Sequence, residues 1–261
     1  MIRLFSTVFI TLFTTLSALG QTKGIDSLSA IETDRPDQTE AASVLPKGFI
    51  QLEAGFFRQV DKQEGLTFVS QLAPTALVRY GLLETLELRL LVERWQLKEQ
   101  ESGLGRVSGL GPIAIGTKIK ITEEKGLLPA MAFIGHLTLQ TGKSEFRPSY
   151  VVPDFRFSLA HTLSDRFSLG YNVGYEWAPD EALGQTIYTI ALGASLTERL
   201  GSFVEFYGQK PQSLNWQHHL DGGLTYKLLP NLQLDASAGI GLSQDTPDYF
   251  VSGGVSVRLP R

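Results

Sequence analysis

The chain has 261 residues, 23 Lys and Arg against 27 Asp and Glu, a net charge of −4, and no cysteine. The missing Cys rules out disulfide staples, thiolate metal sites, Cys nucleophiles and the lipidated Cys of a bacterial lipoprotein. The charge is mildly acidic and carries no basic patch for nucleic acid. No stretch of about 18 consecutive apolar residues provides a membrane-spanning helix.

Met1-Ile2-Arg3 is a charged start, Leu4 to Leu16 is apolar, and Ala18-Leu19-Gly20 is a small-x-small cleavage site before Gln21. This is the pattern of a signal peptide over residues 1–20. A polar segment, 21–48, follows. Its acidic residues and Pro36 argue against regular strand. Two readings are open: a disordered periplasmic leader, or a plug that folds into a barrel interior. Asp34, Arg35 and Asp37 are the candidate plug contacts.

From Phe49 onward large apolar residues alternate with small or polar ones, the mark of strands with two unlike faces. Strands are predicted over Phe49–Val60, Leu66–Tyr80 with Pro74 as a bulge or edge, and Leu86–Leu97. After a Gly-rich loop, Glu99–Pro112, come Ile113–Thr122, Ala130–Gly142 and Asp154–Leu163. The clearest is Phe167–Trp177, where Phe167, Leu169, Tyr171, Val173, Tyr175 and Trp177 share one face. Thr186–Leu196, a short Phe203–Gln209, Trp216–Leu228, Leu232–Leu242 and Tyr249–Leu259 complete the set.

Tight connections at Gly81–Thr85, Glu123–Pro129, Leu163–Arg166, Thr197–Ser202 and Leu229–Asn231 alternate with longer polar ones. About twelve antiparallel strands with that rhythm predict an all-β transmembrane barrel over residues 49–261, with short periplasmic turns and long outer loops. A barrel is required because an open sheet edge cannot satisfy its backbone groups in hydrocarbon. The apolar face is then the outside and the polar face lines the lumen. On that alternation the lumen receives Glu53, Glu87, Arg89, Glu93, Lys118 and Lys120. It also receives His136, Arg156, Glu205 and Asp221, with Asp235 and Arg258. Mixed signs fit either a pore or a salt-bridged interior.

The four His, at 136, 161, 218 and 219, include none followed two residues later by Ser. No nucleophile elbow, Walker loop or HExxH is present, so no catalysis, cofactor or metal is expected. His218 and His219 are adjacent in a strand and point to opposite faces.

Ile31-Glu32-Thr33-Asp34-Arg35-Pro36-Asp37-Gln38-Thr39-Glu40, with Leu45-Pro46-Lys47-Gly48-Phe49-Ile50-Gln51-Leu52-Glu53, resembles a known family. So does Pro74-Thr75-Ala76-Leu77-Val78-Arg79-Tyr80-Gly81-Leu82 followed by Leu86-Glu87-Leu88-Arg89. The family is the outer-membrane "putative MetA-pathway of phenol degradation" (transporter) group. The resemblance implies an outer-membrane β-barrel passing small, hydrophobic or aromatic compounds, and it supplies no catalytic residues. The expected surroundings are outer-membrane lipid, a small-molecule solute and the outer-membrane assembly machinery of a Gram-negative cell. A closed structural or adhesive barrel is the alternative, and a membrane-embedded lipid hydrolase the third.

Overall fold

The computed structural model describes residues 30–63, 66–99, 106–179 and 183–259. The predicted signal peptide and residues 21–29 lie outside the described residues. Thirteen strands follow one another: β1 Ile50–Gln63, β2 Leu66–Leu83, β3 Leu86–Glu99, β4 Arg106–Leu110, β5 Ala114–Thr122, β6 Ala130–Thr138 and β7 Val152–Thr162. Then come β8 Phe167–Trp177, β9 Gly184–Ser195, β10 Leu200–Pro211, β11 Gln217–Leu229, β12 Leu232–Gly241 and β13 Tyr249–Leu259. Every strand pairs antiparallel with its sequence neighbours except β4 and β5, which do not pair with each other, and β1 pairs with β13 along an unbroken register from Ile50↔Leu259 to Val60↔Tyr249. The sheet therefore closes on itself through β1 and β13, and only β4, which pairs with β3 alone, has a side without a ladder partner among the described residues.

β4 and β5 both pair with β3, end to end, so thirteen segments make a barrel of twelve staves. The break falls at Gly111-Pro112-Ile113. Pro112 has no N–H to give the ladder, and Gly111 donates to the Glu93 carbonyl at 2.8 Å instead.

The polarity of the wall is reversed relative to a water-soluble protein. Adjacent residues make the point: Glu87 is 0 % exposed and Leu88 41 %, Lys118 0 % and Ile119 42 %, Glu205 0 % and Val204 49 %. Period-2 alternation sends the first of each pair inward and the second outward. A surface this rich in Leu, Ile, Val and Phe would aggregate in water, and it suits hydrocarbon.

Three boundaries differ from the sequence expectation. The upper half of the fourth stave, β4, lies in what reads as a Gly-rich loop, because Gly109 and Gly111 face Lys143 and Trp95, where a Cβ would collide. The strand predicted over Ala130–Gly142 stops at Thr138, and 139–151 folds back so that Lys143 donates to the Leu110 carbonyl at 2.8 Å. The short strand Phe203–Gln209 is the middle of the twelve-residue β10. Pro74 does not end β2: an 18-residue strand absorbs it in a bulge between Leu72 and Thr75.

Candidate functional site

The interior is occupied by the chain's own N-terminal segment. Residues 30–48 have no regular structure, so their backbone N–H groups need partners from elsewhere. The inner wall supplies them. Asp34 N donates to Glu53 on β1 at 3.0 Å, and Leu45 N to Glu87 on β3 at 2.8 Å. Gln38 N donates to Glu205 on β10 at 2.7 Å, and Glu40 N to Asn172 on β8 at 2.8 Å. The segment thus touches the wall on several sides.

Asp34 is the densest contact. Its carboxylate accepts from Lys118 on β5 at 2.8 Å and from Arg89 on β3 at 2.7 Å, and lies 3.4 Å from Arg79 on β2. Burial alone would raise its pKa. Arg79, Lys118 and Arg89 outweigh that and hold the carboxyl well below the usual carboxylate range. Glu40 shares the arrangement: burial opposes its charge, but Arg89, 2.7 Å away, keeps its pKa low.

The wall groups are themselves cross-linked. Arg79 grips Glu87 with two parallel bonds, 2.9 and 2.8 Å, and reaches Glu53 at 3.0 Å. A fork-on-carboxylate pair of this kind is the stronger form of ion pair. Arg89 donates to His136 Nε2 at 3.0 Å, and His136 Nδ1 meets Asp154 at 3.0 Å. Since Nε2 accepts, the proton sits on Nδ1 and points to the carboxylate.

A second contact lies at the β1–β13 seam. Gly55 and Gly254 are paired across it. A Cβ on either would lie within 2.7 Å of the Arg35 guanidinium. Arg35 uses this space to reach Asp235 on β12 at 3.0 Å and Ser252 on β13 at 3.2 Å.

A third region is acidic. Glu205 and Asp221 are directly paired on β10 and β11, and both Asp221 carboxylate oxygens are buried without a hydrogen-bond partner. Asp37 approaches them. Burial and the nearby Glu205 raise its pKa well above the ordinary value, with Asp221 and Asp34 adding to the effect.

The remaining sequence candidates are more peripheral. Arg156 pairs with Glu176 at 2.8 Å and reaches the Gln38 carbonyl at 3.5 Å. Glu93 accepts from Trp95 Nε1 at 2.8 Å, above the segment. Lys120 pairs with Glu123 at 2.9 Å at the turn end. Arg258 is buried on the inner face of β13. Sequence reasoning did not single out Arg79, Gln51, Asn172 or Thr39. Arg79 carried a legible signal, an Arg between the outward Val78 and Tyr80.

Between the segment and the β5–β10 wall a cavity of about 490 Å³ remains, lined in part by Asp37, Glu40, Lys120, Ala160, Gly170 and Gly193. In the outer half of the lumen, rings face inward in pairs: Phe57 with Phe250 at 5.1 Å, Tyr207 with His219 at 4.7 Å, Trp95 with Phe146 at 5.5 Å.

The profile of the family described as "Putative MetA-pathway of phenol degradation" matches residues 33–259. No curated protein matches the sequence. Among solved structures, a COG4313 outer membrane channel from Pseudomonas putida F1 superposes with a TM-score of 0.66 at 13 % identity. It covers 87 % of this chain and 100 % of its own. The KdgM porin gives 0.52 at 10 % identity and the NanC porin 0.53 at 9 %, each covering 79 % of this chain and 98 % of its own. These likenesses establish the architecture of an outer-membrane barrel.

Proposed function

Because the chain belongs to the family "Putative MetA-pathway of phenol degradation", we propose that it is an outer-membrane channel for passive passage of small solutes, with an aperture set by its own N-terminal segment. The observation that carries this reading is the seating of Asp34 on Arg79, Arg89 and Lys118. A barrel of twelve staves is wide enough to leave a lumen, and here that lumen is partly filled by residues 30–48. What remains open is the cavity beside the segment. Apart from backbone bonds at its two ends, Ile31 N to the Pro230 carbonyl at 2.9 Å and Gly48 N to the Gly81 carbonyl at 2.7 Å, the segment is held by side-chain contacts, so its middle is displaceable without unzipping a strand.

The inward ring pairs of the outer half favour aromatic or hydrophobic solutes. Each presents an apolar face on which such a solute can stack before it meets the charged middle. The polar wall below gives it no deep apolar pocket, as suits a passing solute better than a retained one.

Single-channel conductance of the refolded full-length protein in a planar bilayer tests this. Stepwise currents, reduced by an added small phenol, are the expected result. Folded protein that stays silent, even when the Asp34 contacts are removed, would overturn the channel reading in favour of a closed structural barrel.

A further inference from the structure

The outer rim of the barrel is of two kinds. From β8 to the loop entering β11 the outward positions are aromatic: Trp177, Tyr188, Phe206 and Trp216, with the Tyr188 hydroxyl 2.6 Å from His218. Rings of this kind sit at a membrane interface. On β1 to β4 the same level is cationic.

The register makes this explicit. The outward row of β1 is apolar from Ile50 through Leu52, Ala54 and Phe56, then continues with Arg58 and Lys62. That of β3 is apolar through Leu88, Leu90 and Val92, then continues with Arg94 and Lys98. Across the ladder Arg58 stands beside Gln71, Gln71 beside Gln96, and Gln96 beside Ser108. In the next row Val60, Val69, Lys98 and Arg106 are neighbours. Five cations on β1, β3 and β4 therefore share one patch with β2 between them, bordered by Asp248, whose carboxylate accepts from Lys62 N at 2.7 Å. None of the five forms an ion pair among the described residues. Lys62, Arg94, Lys98 and Arg106 are exposed. Val60 and Val69, in outward rows, are buried.

The height of the patch identifies its surroundings. Eight residues separate Ile50 from Arg58. At a rise of about 3.3 Å per residue and a tilt near 40°, that is roughly 20 Å up the wall. An apolar band is about 25 Å tall, so Arg58 and Arg94 stand at its outer edge. Lys62, Lys98 and Arg106 rise above it, among headgroups. Unpaired cations there call for an anionic partner fixed at the same level. Guanidinium groups match phosphate oxygens in forked geometry, and lysines add point charge.

We propose that the outward face of β1–β4 is a docking site for the phosphate-bearing headgroup of an outer-leaflet glycolipid. The site is independent of what passes through the lumen. It fixes the orientation of the barrel on one side by charge, while the aromatic rim fixes the other.

The test is native mass spectrometry of the full-length protein refolded in detergent. The probes are bisphosphorylated lipid A and the same lipid after enzymatic dephosphorylation. The wild type should retain the phosphorylated lipid about tenfold better, and R58Q/R94Q/K98Q should lose that preference. R166Q/R199Q, at the turn end, should keep it. Folding of each variant is checked by heat-modifiable gel mobility, and the single R94Q and K98Q substitutions are read if the triple variant does not fold. Equal retention of the two lipids by the wild type would overturn the proposal, as would undiminished preference in the folded variants. Full displacement by millimolar inorganic phosphate would overturn it as well, because the site would then hold the free anion.

Discussion

Lys118 on β5 and Asp34 in the N-terminal segment are 84 positions apart in the chain and meet at 2.8 Å, both buried. Two buried charges are stable there only because each has further partners. Lys118 also donates to the Ala41 carbonyl at 2.9 Å, and Asp34 also binds Arg89. Removing one member of such a pair strands the other.

Asp34→Asn is therefore expected to loosen the segment by about 3–5 kcal/mol, the usual cost of leaving a buried charge uncompensated. The barrel wall should remain folded, because its ladder does not use Asp34. Conductance should rise while heat-modifiable gel mobility stays unchanged. Unaltered currents would show that Asp34 does not govern the aperture.

A cross-link should do the opposite. A Cβ at Gly170 would lie 3.0 Å from the Thr39 Cγ2 atom. That Cγ2 stands close to where a thiol sulfur at position 39 would be, so T39C/G170C brings one sulfur and the opposite Cβ to about the spacing of a disulfide. The natural chain has no Cys, so no other thiol competes. The oxidised variant should hold one low conductance level, and reductant should restore wild-type behaviour. Formation of the disulfide with no change in current would place the conducting path away from the segment.

Proton dependence follows from Asp37. Its pKa is raised in the docked segment by burial and by Glu205 and Asp221. The docked state therefore binds a proton that the released segment gives up at lower pH. Docking is unpenalised below the ordinary carboxylate pKa and weakens as pH rises through the raised value. Asp34 has the opposite sign: its stabilisation is present above the ordinary pKa and is lost as pH falls through the depressed one. Open probability should accordingly increase as pH climbs from the ordinary carboxylate pKa to the raised one and level off beyond it. Asp37→Asn should flatten that rise, and an unchanged pH profile would remove Asp37 from the account.

Arg79 is the test of the wall itself. Its guanidinium serves Glu87, Glu53 and Asp34 together. Lys cannot reproduce a forked contact to one carboxylate while reaching two others. Arg79→Lys should lower the urea midpoint of the refolded barrel, and Arg79→Met should lower it further, with a loss of about 3–5 kcal/mol. Equal stability of the three proteins would mean that the segment, not the wall, carries the strain of these charges.

Most of the barrel was legible in the chain because its signal is local. Phe167–Trp177 alternates without interruption and matches β8 end to end, and Tyr249–Leu259 likewise matches β13. The failures are also local. β4 was hidden because Gly109 and Gly111, read as loop residues, are small where Lys143 and Trp95 lie against the wall. Arg79 was passed over although Val78-Arg79-Tyr80 alternates regularly, because Pro74 leaves the register of β2 open and no face was assigned along it. The location of the N-terminal segment is a different matter. Its composition fits a disordered leader as well as a packed one. The difference lies in partners at distant positions, such as Glu205 for Gln38 and Asp235 for Arg35.

The Gly55–Gly254 pair bears on the order of assembly. The seam between β1 and β13 joins the first stave made to the last, and Arg35 fills the space those two glycines leave. Arg35 precedes every strand in synthesis, yet Ser252, one of its partners, belongs to the final strand to arrive. Closing the seam first would leave Lys118 without Asp34 and Glu40, the carboxylates it pairs with. Threading the segment through afterwards would then require those charges to be rehydrated. Early capture would avoid both, with the last hairpin folding down around a segment already seated, as a stave is driven home around a bung.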